Sequence, residues 1–107
     1  MLYEMRSYYV MPGRLPDIVA RFRDHTTGIF ERVGIKNIGN WTELVGRNDL
    51  LVYIIAFEDM ADRETKWGKF ITDPEWIEVK TRTEADGQLV RYLENRFLAP
   101  TDFSPLQ

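Results

Sequence analysis

The sequence predicts an α+β domain: a four-stranded antiparallel sheet with helices on one side, built in the order strand, helix, strand, strand, helix, strand. Three observations carry this expectation. Apolar residues alternate over 2–10, recur at spacings of three, four and seven over 15–33, and run almost unbroken over 50–57. Turn residues punctuate these runs at Pro12-Gly13, Gly34, Gly46 to Asp49, and Gly87. Past a turn near residue 47, the second half repeats the plan of the first.

Each element has a local reason. The first strand ends at Pro12-Gly13, where proline fixes φ and glycine supplies freedom. A helix starts at about Pro16, since a first helical position needs no amide donor. Leu15, Ile18, Val19, Phe22, Ile29, Phe30 and Val33 form its inner stripe, and Gly34 stops it. Residues 35–44 read as the second strand and 50–57 as a third, apolar on both faces and therefore buried on both. Asp59 caps a helix with Met60, Trp67, Phe70 and Ile71 on its inner face. Asp73, Pro74, Glu75 and Trp76 restart it as a second helix at an angle, carrying Trp76, Val79 and Thr83 along one side. Residues 89–98 alternate as a fourth strand. Residues 1–99 thus form one domain, and 100–107, with two prolines and no periodicity, an extended tail that Phe103 and Leu106 clip to a neighbour.

Composition narrows the function. The chain has 107 residues, is 44% hydrophobic and carries a net charge of −3 with both signs interspersed, so no basic stripe offers itself to nucleic acid. No apolar run is long enough to span a bilayer. With no cysteine there are no disulfides and no thiolate chemistry, which together with a strand-like start in place of a signal or transit peptide points to the cytoplasm. No phosphate loop, no Gly-x-Ser-x-Gly elbow and no aromatic RNA-binding signature is present.

The strand order is ferredoxin-like. Helices cover one face of the sheet while the strands are apolar on both, so a second copy is expected to meet it sheet to sheet, and the homodimer forms a shared α/β barrel. The fourth strand lies beside the first, so Glu4 and Arg6 are expected to pair across with Arg96 and Glu94 as structural ion pairs.

The chain's one histidine, His25, falls three residues after Phe22 and four before Ile29, which turns it inward and makes it the candidate catalytic acid or base. Neither a second histidine nor a carboxylate pair accompanies it, so no metal and no other cofactor is expected. Trp41, Trp67 and Trp76 with Tyr53 and Arg63 are candidate walls of a pocket for a flat ligand. Arg63 shares a helical face with Trp67 and must reach solvent or an anion.

Together these residues resemble a known family. Tyr3-Glu4-Met5-Arg6 with Pro12-Gly13, Gly34-Ile35 with Gly39 and Trp41, Tyr53 with Ala56-Phe57, Arg63 with Trp67 and Phe70, Asp73-Pro74-Glu75-Trp76, and Pro100-Thr101-Asp102-Phe103-Ser104-Pro105 look like a bacterial NIPSNAP-family protein along the whole chain. The resemblance implies the dimeric α/β-barrel superfamily, which includes cofactor-free monooxygenases, lactone isomerases and haem-dependent relatives with a pocket between sheet and helices. The mitochondrial and vesicular roles of eukaryotic members are not expected, because this chain lacks their leader and duplicated domains. Two functions follow: a pocket protein for a small apolar or aromatic ligand, working as a cofactor-independent oxygenase or isomerase, or a non-catalytic dimeric scaffold that binds another protein through its surface or tail.

Overall fold

A computed structural model describes residues 1–107. Strand β1 (Leu2–Val10) turns at Gly13 into helix α1 (Leu15–Arg21), which has proline in its first turn. A π-helical turn (Phe22–Thr26) follows without a break and leads into α2 (Thr27–Val33). Gly34, at φ 90°, closes α2 in the left-handed conformation that suits glycine. Strands β2 (Lys36–Thr42) and β3 (Leu50–Phe57) form a hairpin. Helix α3 (Met60–Ile71) is capped by the Asp59 side chain on the Asp62 amide, and α4 (Pro74–Thr83) by Asp73 on the Trp76 amide. Strand β4 (Val90–Leu98) completes the antiparallel sheet, ordered β2-β3-β1-β4. The fold is α+β and ferredoxin-like, with the helices on one face as the sequence predicts.

Alternation along β1 sends Glu4, Arg6, Tyr8 and Val10 toward the helices, opposite Ile55, Tyr53 and Leu51 of β3. Phe22, Ile29 and Phe30 from the first helical segment and Phe70 from α3 close the core over them. The other face of the sheet carries Met5, Tyr9, Val52 and Ile54. Its only cover from this chain is the tail, which turns at Thr101 and Ser104 and lays Leu106 against Tyr3, Ile54 and Leu98. The Tyr3 hydroxyl donates to the Gln107 carbonyl oxygen at 3.1 Å. The tail is therefore folded back on its own sheet rather than extended, and Phe103 points into solvent, 83% exposed. The molecule is 20 Å thick in its shortest dimension, which matches one sheet and one helical layer about 10 Å apart. Its radius of gyration, 14.3 Å, exceeds the roughly 13 Å typical of this length, as a broad plate should.

Two departures from the sequence reading shape the interior. The first helix is not uniform: the Thr27 amide bonds to the Phe22 carbonyl five residues back, and the hydroxyls of Thr26 and Thr27 bond to the carbonyls of Arg21 and Phe22. Each residue of this wider turn advances less than in an α-helix, so the inward line runs through Phe22 and Thr26 and passes His25 by. The second departure is a bulge. Val10 pairs with Val90, but Tyr9 pairs with Tyr92, so Arg91 is an extra residue in β4. Beyond it every partner is displaced by one: Glu4 faces Phe97 and Arg6 faces Asn95. A straight ladder from Val10 and Val90 would have brought Glu4 to Arg96 and Arg6 to Glu94, the expected ion pairs. The bulge puts Glu94 and Arg96 on the other side of the sheet, where they lie 3.7 Å from each other and largely in solvent.

No helix is long and apolar enough to cross a membrane.

Candidate functional site

Between the β1–β4 side of the sheet and helices α3 and α4 lies a cavity of about 620 Å³, a size suited to a small organic ligand. Its apolar wall is a run of rings: Trp67 and Phe70 with centroids 5.1 Å apart, then Phe70 and Trp76 at 4.7 Å. Tyr8, Arg6, Arg21, Lys80 and Glu84 add polar groups. Trp76 is placed by local chemistry. The Asp73 carboxylate caps α4 at the Trp76 amide and also accepts two hydrogen bonds from Arg32 of α2, at 2.7 and 2.9 Å. This clamp ties α4 to α2, and the Arg32 guanidinium beside Asp73 holds its carboxyl down to about 2.

Behind the cavity sits a charge cluster built round a fully buried carboxylate. Glu4 has no exposed side-chain surface and accepts from Arg6 at 2.7 Å, from Arg63 at 3.1 and 3.2 Å, and from Asn95 at 3.1 Å. Burial alone would raise its pKa, but the hydrogen bonds from Arg63, Arg6 and Asn95 outweigh that and hold it below the usual carboxylate range. The Arg6 guanidinium lies 4.4 Å above the Trp67 ring and so joins the cluster to the cavity wall.

From Arg6 the direction of a hydrogen-bond chain can be derived. Arginine only donates, so the 2.7 Å contact from Arg6 Nε uses the Tyr53 hydroxyl as acceptor. Tyr53 is fully buried and its only other partner, Arg6, cannot accept, so the one acceptor within reach of its proton is the Tyr8 hydroxyl, 2.8 Å away. Arg6 also donates to the Tyr8 oxygen, at 3.4 Å. Tyr8 is left with its O–H as a donor at the cavity surface, polarised by the groups behind it. Burial, with the neighbouring Tyr8, keeps Tyr53 protonated well above the ordinary phenol range.

The structure brings together Tyr53, Arg63, Trp67 and Trp76 and separates the other two candidates from them. Trp41 pairs with Val52 and so stands on the open face, half-exposed. Its ring lies over Gly39, where an added Cβ would come within 2.5 Å of it. His25 is half-buried between the first helical segment and α4, its Nε2 at 3.4 Å from Arg82, in a polar cleft apart from the aromatic wall. The inward position expected for it is taken by Thr26. Arg63 has found its anion in Glu4. Two residues of the site went unread in the sequence, although both carried a signal. Tyr8 lies in alternation with Glu4 and Arg6, and Arg21 is three residues past Ile18, on the helix's inward line.

The sequence profile of the NIPSNAP family matches residues 3–105. The chain belongs to the NIPSNAP family. Solved structures of similar NIPSNAP chains include a NIPSNAP domain protein from Burkholderia xenovorans, 28% identical, with a TM-score of 0.84 over 98% of this chain and 99% of that one. A NIPSNAP family protein from Agrobacterium tumefaciens is 26% identical, with a TM-score of 0.88 over 99% of this chain and 98% of that one. More distantly, this NIPSNAP chain shares its fold with a Streptomyces coelicolor monooxygenase solved with nanaomycin D, 12% identical, with a TM-score of 0.62 over 94% of this chain and 87% of that one. No curated protein matches the sequence.

Proposed function

We propose that this NIPSNAP chain pairs with a second copy through the open face of its sheet and that each copy takes up a small planar apolar molecule in the cavity beside α3 and α4. The observation that carries the binding reading is the cavity itself: one wall of contiguous tilted rings, Trp67, Phe70 and Trp76, with Tyr8 also in the lining. Flat aromatic walls favour a flat guest, and a single oriented donor fixes which way it lies. A donor polarised by Arg6 through Tyr53 is suited to a ligand carbonyl on which negative charge develops, as in enolisation or in addition of oxygen to an activated ring. Tyr8 therefore replaces His25 as the proton-bearing group best placed for chemistry. The same fold carries a bound ligand in the Streptomyces monooxygenase.

Calorimetric titration with 2-naphthamide, a neutral planar probe, tests the binding reading. Saturable binding is expected, weakened by about tenfold in Trp76→Ala while far-UV circular dichroism stays unchanged, the loss of one aromatic wall being worth about 1.4 kcal/mol. A folded wild-type protein that gives no saturable heat overturns it.

A further inference from the structure

We propose that the ligand of this cavity is an anion, a planar molecule bearing a carboxylate or similar oxyanion that seats on Arg21. The inference rests on the pocket reading above and adds the chemical class of the guest.

Arg21 is the last residue of α1 and is only 5% exposed, yet it is the one buried cation of the chain that is not closely paired. Its Nε has no hydrogen-bond partner and is the only buried side-chain nitrogen or oxygen in that state. One terminal nitrogen reaches the Thr83 hydroxyl and the Glu84 carboxylate, each at 3.4 Å, against the 2.7–2.9 Å usual for charge-assisted bonds. The guanidinium groups on Glu4 and Asp73 are held more tightly: Arg6 to Glu4 at 2.7 Å, Arg63 to Glu4 at 3.1 Å, and the half-exposed Arg32 to Asp73 at 2.7 Å. Burying a guanidinium without full pairing is costly, so the arrangement makes sense if something else completes it.

The surroundings say what that is. Arg21 lines the aromatic cavity, its guanidinium carbon 5.1 Å from the centroid of the Trp76 ring. Arg6, Arg21 and Lys80 give the lining three cations to one carboxylate, Glu84, in a chain whose net charge is −3. Loss of hydration pushes the Arg21 guanidinium below its ordinary value, so a second anion nearby would relieve a real penalty. The Arg21 guanidinium is a planar donor fork that matches the two oxygens of a carboxylate. A guest ring against Trp76 and a carboxylate on Arg21 would fill the two halves of the site at once, with the Tyr8 hydroxyl free for a second oxygen.

The test compares 2-naphthoate with 2-naphthamide, which share size and shape and differ in charge. In wild-type protein the naphthoate is expected to bind about tenfold more tightly. In Arg21→Gln that preference, read as the ratio of the two affinities so that any loss common to both probes cancels, should shrink to about twofold. Glu84→Gln removes the competing carboxylate and should strengthen naphthoate binding about threefold relative to naphthamide. Naphthamide binding as tightly as naphthoate in wild type overturns the anion assignment and leaves the pocket standing. A preference that survives Arg21→Gln also overturns it. Binding of neither probe overturns both readings. Should Arg21→Gln fail to fold, Glu84→Gln decides alone, and an unchanged naphthoate affinity counts as refutation.

Discussion

At position 4 a carboxylate with no exposed surface meets two guanidinium groups and an amide. Its removal would leave buried Arg6 with no counter-charge and Arg63 with only the exposed Glu64 carboxylate, 3.8 Å away. Glu4→Gln is therefore expected to lower stability by about 3 kcal/mol, the low end for breaking a buried pair because Arg63 keeps some contact with water. The midpoint of urea unfolding measures this, and a shift below 1 kcal/mol would mean that the cluster contributes little. The same substitution loosens Arg6 and with it the proton order of Tyr53 and Tyr8, so a folded Glu4→Gln protein should also bind 2-naphthamide less well. Alternation along β1 made Glu4 and Arg6 legible as a pair on one face. What could not be read was their partner, because Arg63 comes from α3 and meets Glu4 only through the packing of helix on sheet.

Among the elements, the start of α4 was the most legible, since Asp73-Pro74-Glu75 places a cap, a ring-locked first residue and an acid in the order a helix start requires. The structure adds that the cap is also an ion pair, and the two roles are separable. Asparagine caps a helix about as well as aspartate, so Asp73→Asn removes the charge contact with Arg32 and keeps the cap. Because the folded carboxyl titrates at about 2, below its ordinary 3.8, its contribution is complete above pH 4 and is lost as the pH falls from there toward 2. Wild-type protein should thus melt above Asp73→Asn at pH 7, with the gap narrowing below pH 4. A gap that does not change with pH would place the effect elsewhere. The first helix was legible in its ends and not in its middle. Phe22, Ile29 and Phe30 keep helical spacing whether or not one turn is wide, so the apolar pattern carries no mark of the π-helical turn, and His25 was read as inward for that reason. Strand β4 failed similarly, for an extra residue in an exposed edge strand leaves no hydrophobic signature.

The whole molecule is 20 Å thick and leaves one sheet face bare beyond the reach of the tail. Trp41, Tyr92 and Leu98 stand on that side of the sheet, each at least 40% exposed, and Leu44 and Val45 at the hairpin tip are almost wholly so. Apolar surface of this extent is unusual on a protein that remains alone. A central lysine, Val52→Lys, should therefore split the proposed dimer while the helical layer stays folded, and sedimentation at micromolar concentration would show the mass halved. A wild-type protein that sediments as a monomer would remove the second copy from the account and leave the cavity untouched, since that lies on the other side.

The extra residue at Arg91 has a consequence for how this sequence tolerates change. Eight of the nine β4 residues touch water freely, so apart from Asn95, which bonds to Glu4, their identities are loosely constrained. Their number is not. A residue inserted after the bulge would swing Asn95 away from Glu4 and turn Arg96 inward toward two arginines already there, whereas loss of Arg91 would only straighten the strand and keep every later pair in register. In this edge strand, then, spelling can drift while length has a ceiling.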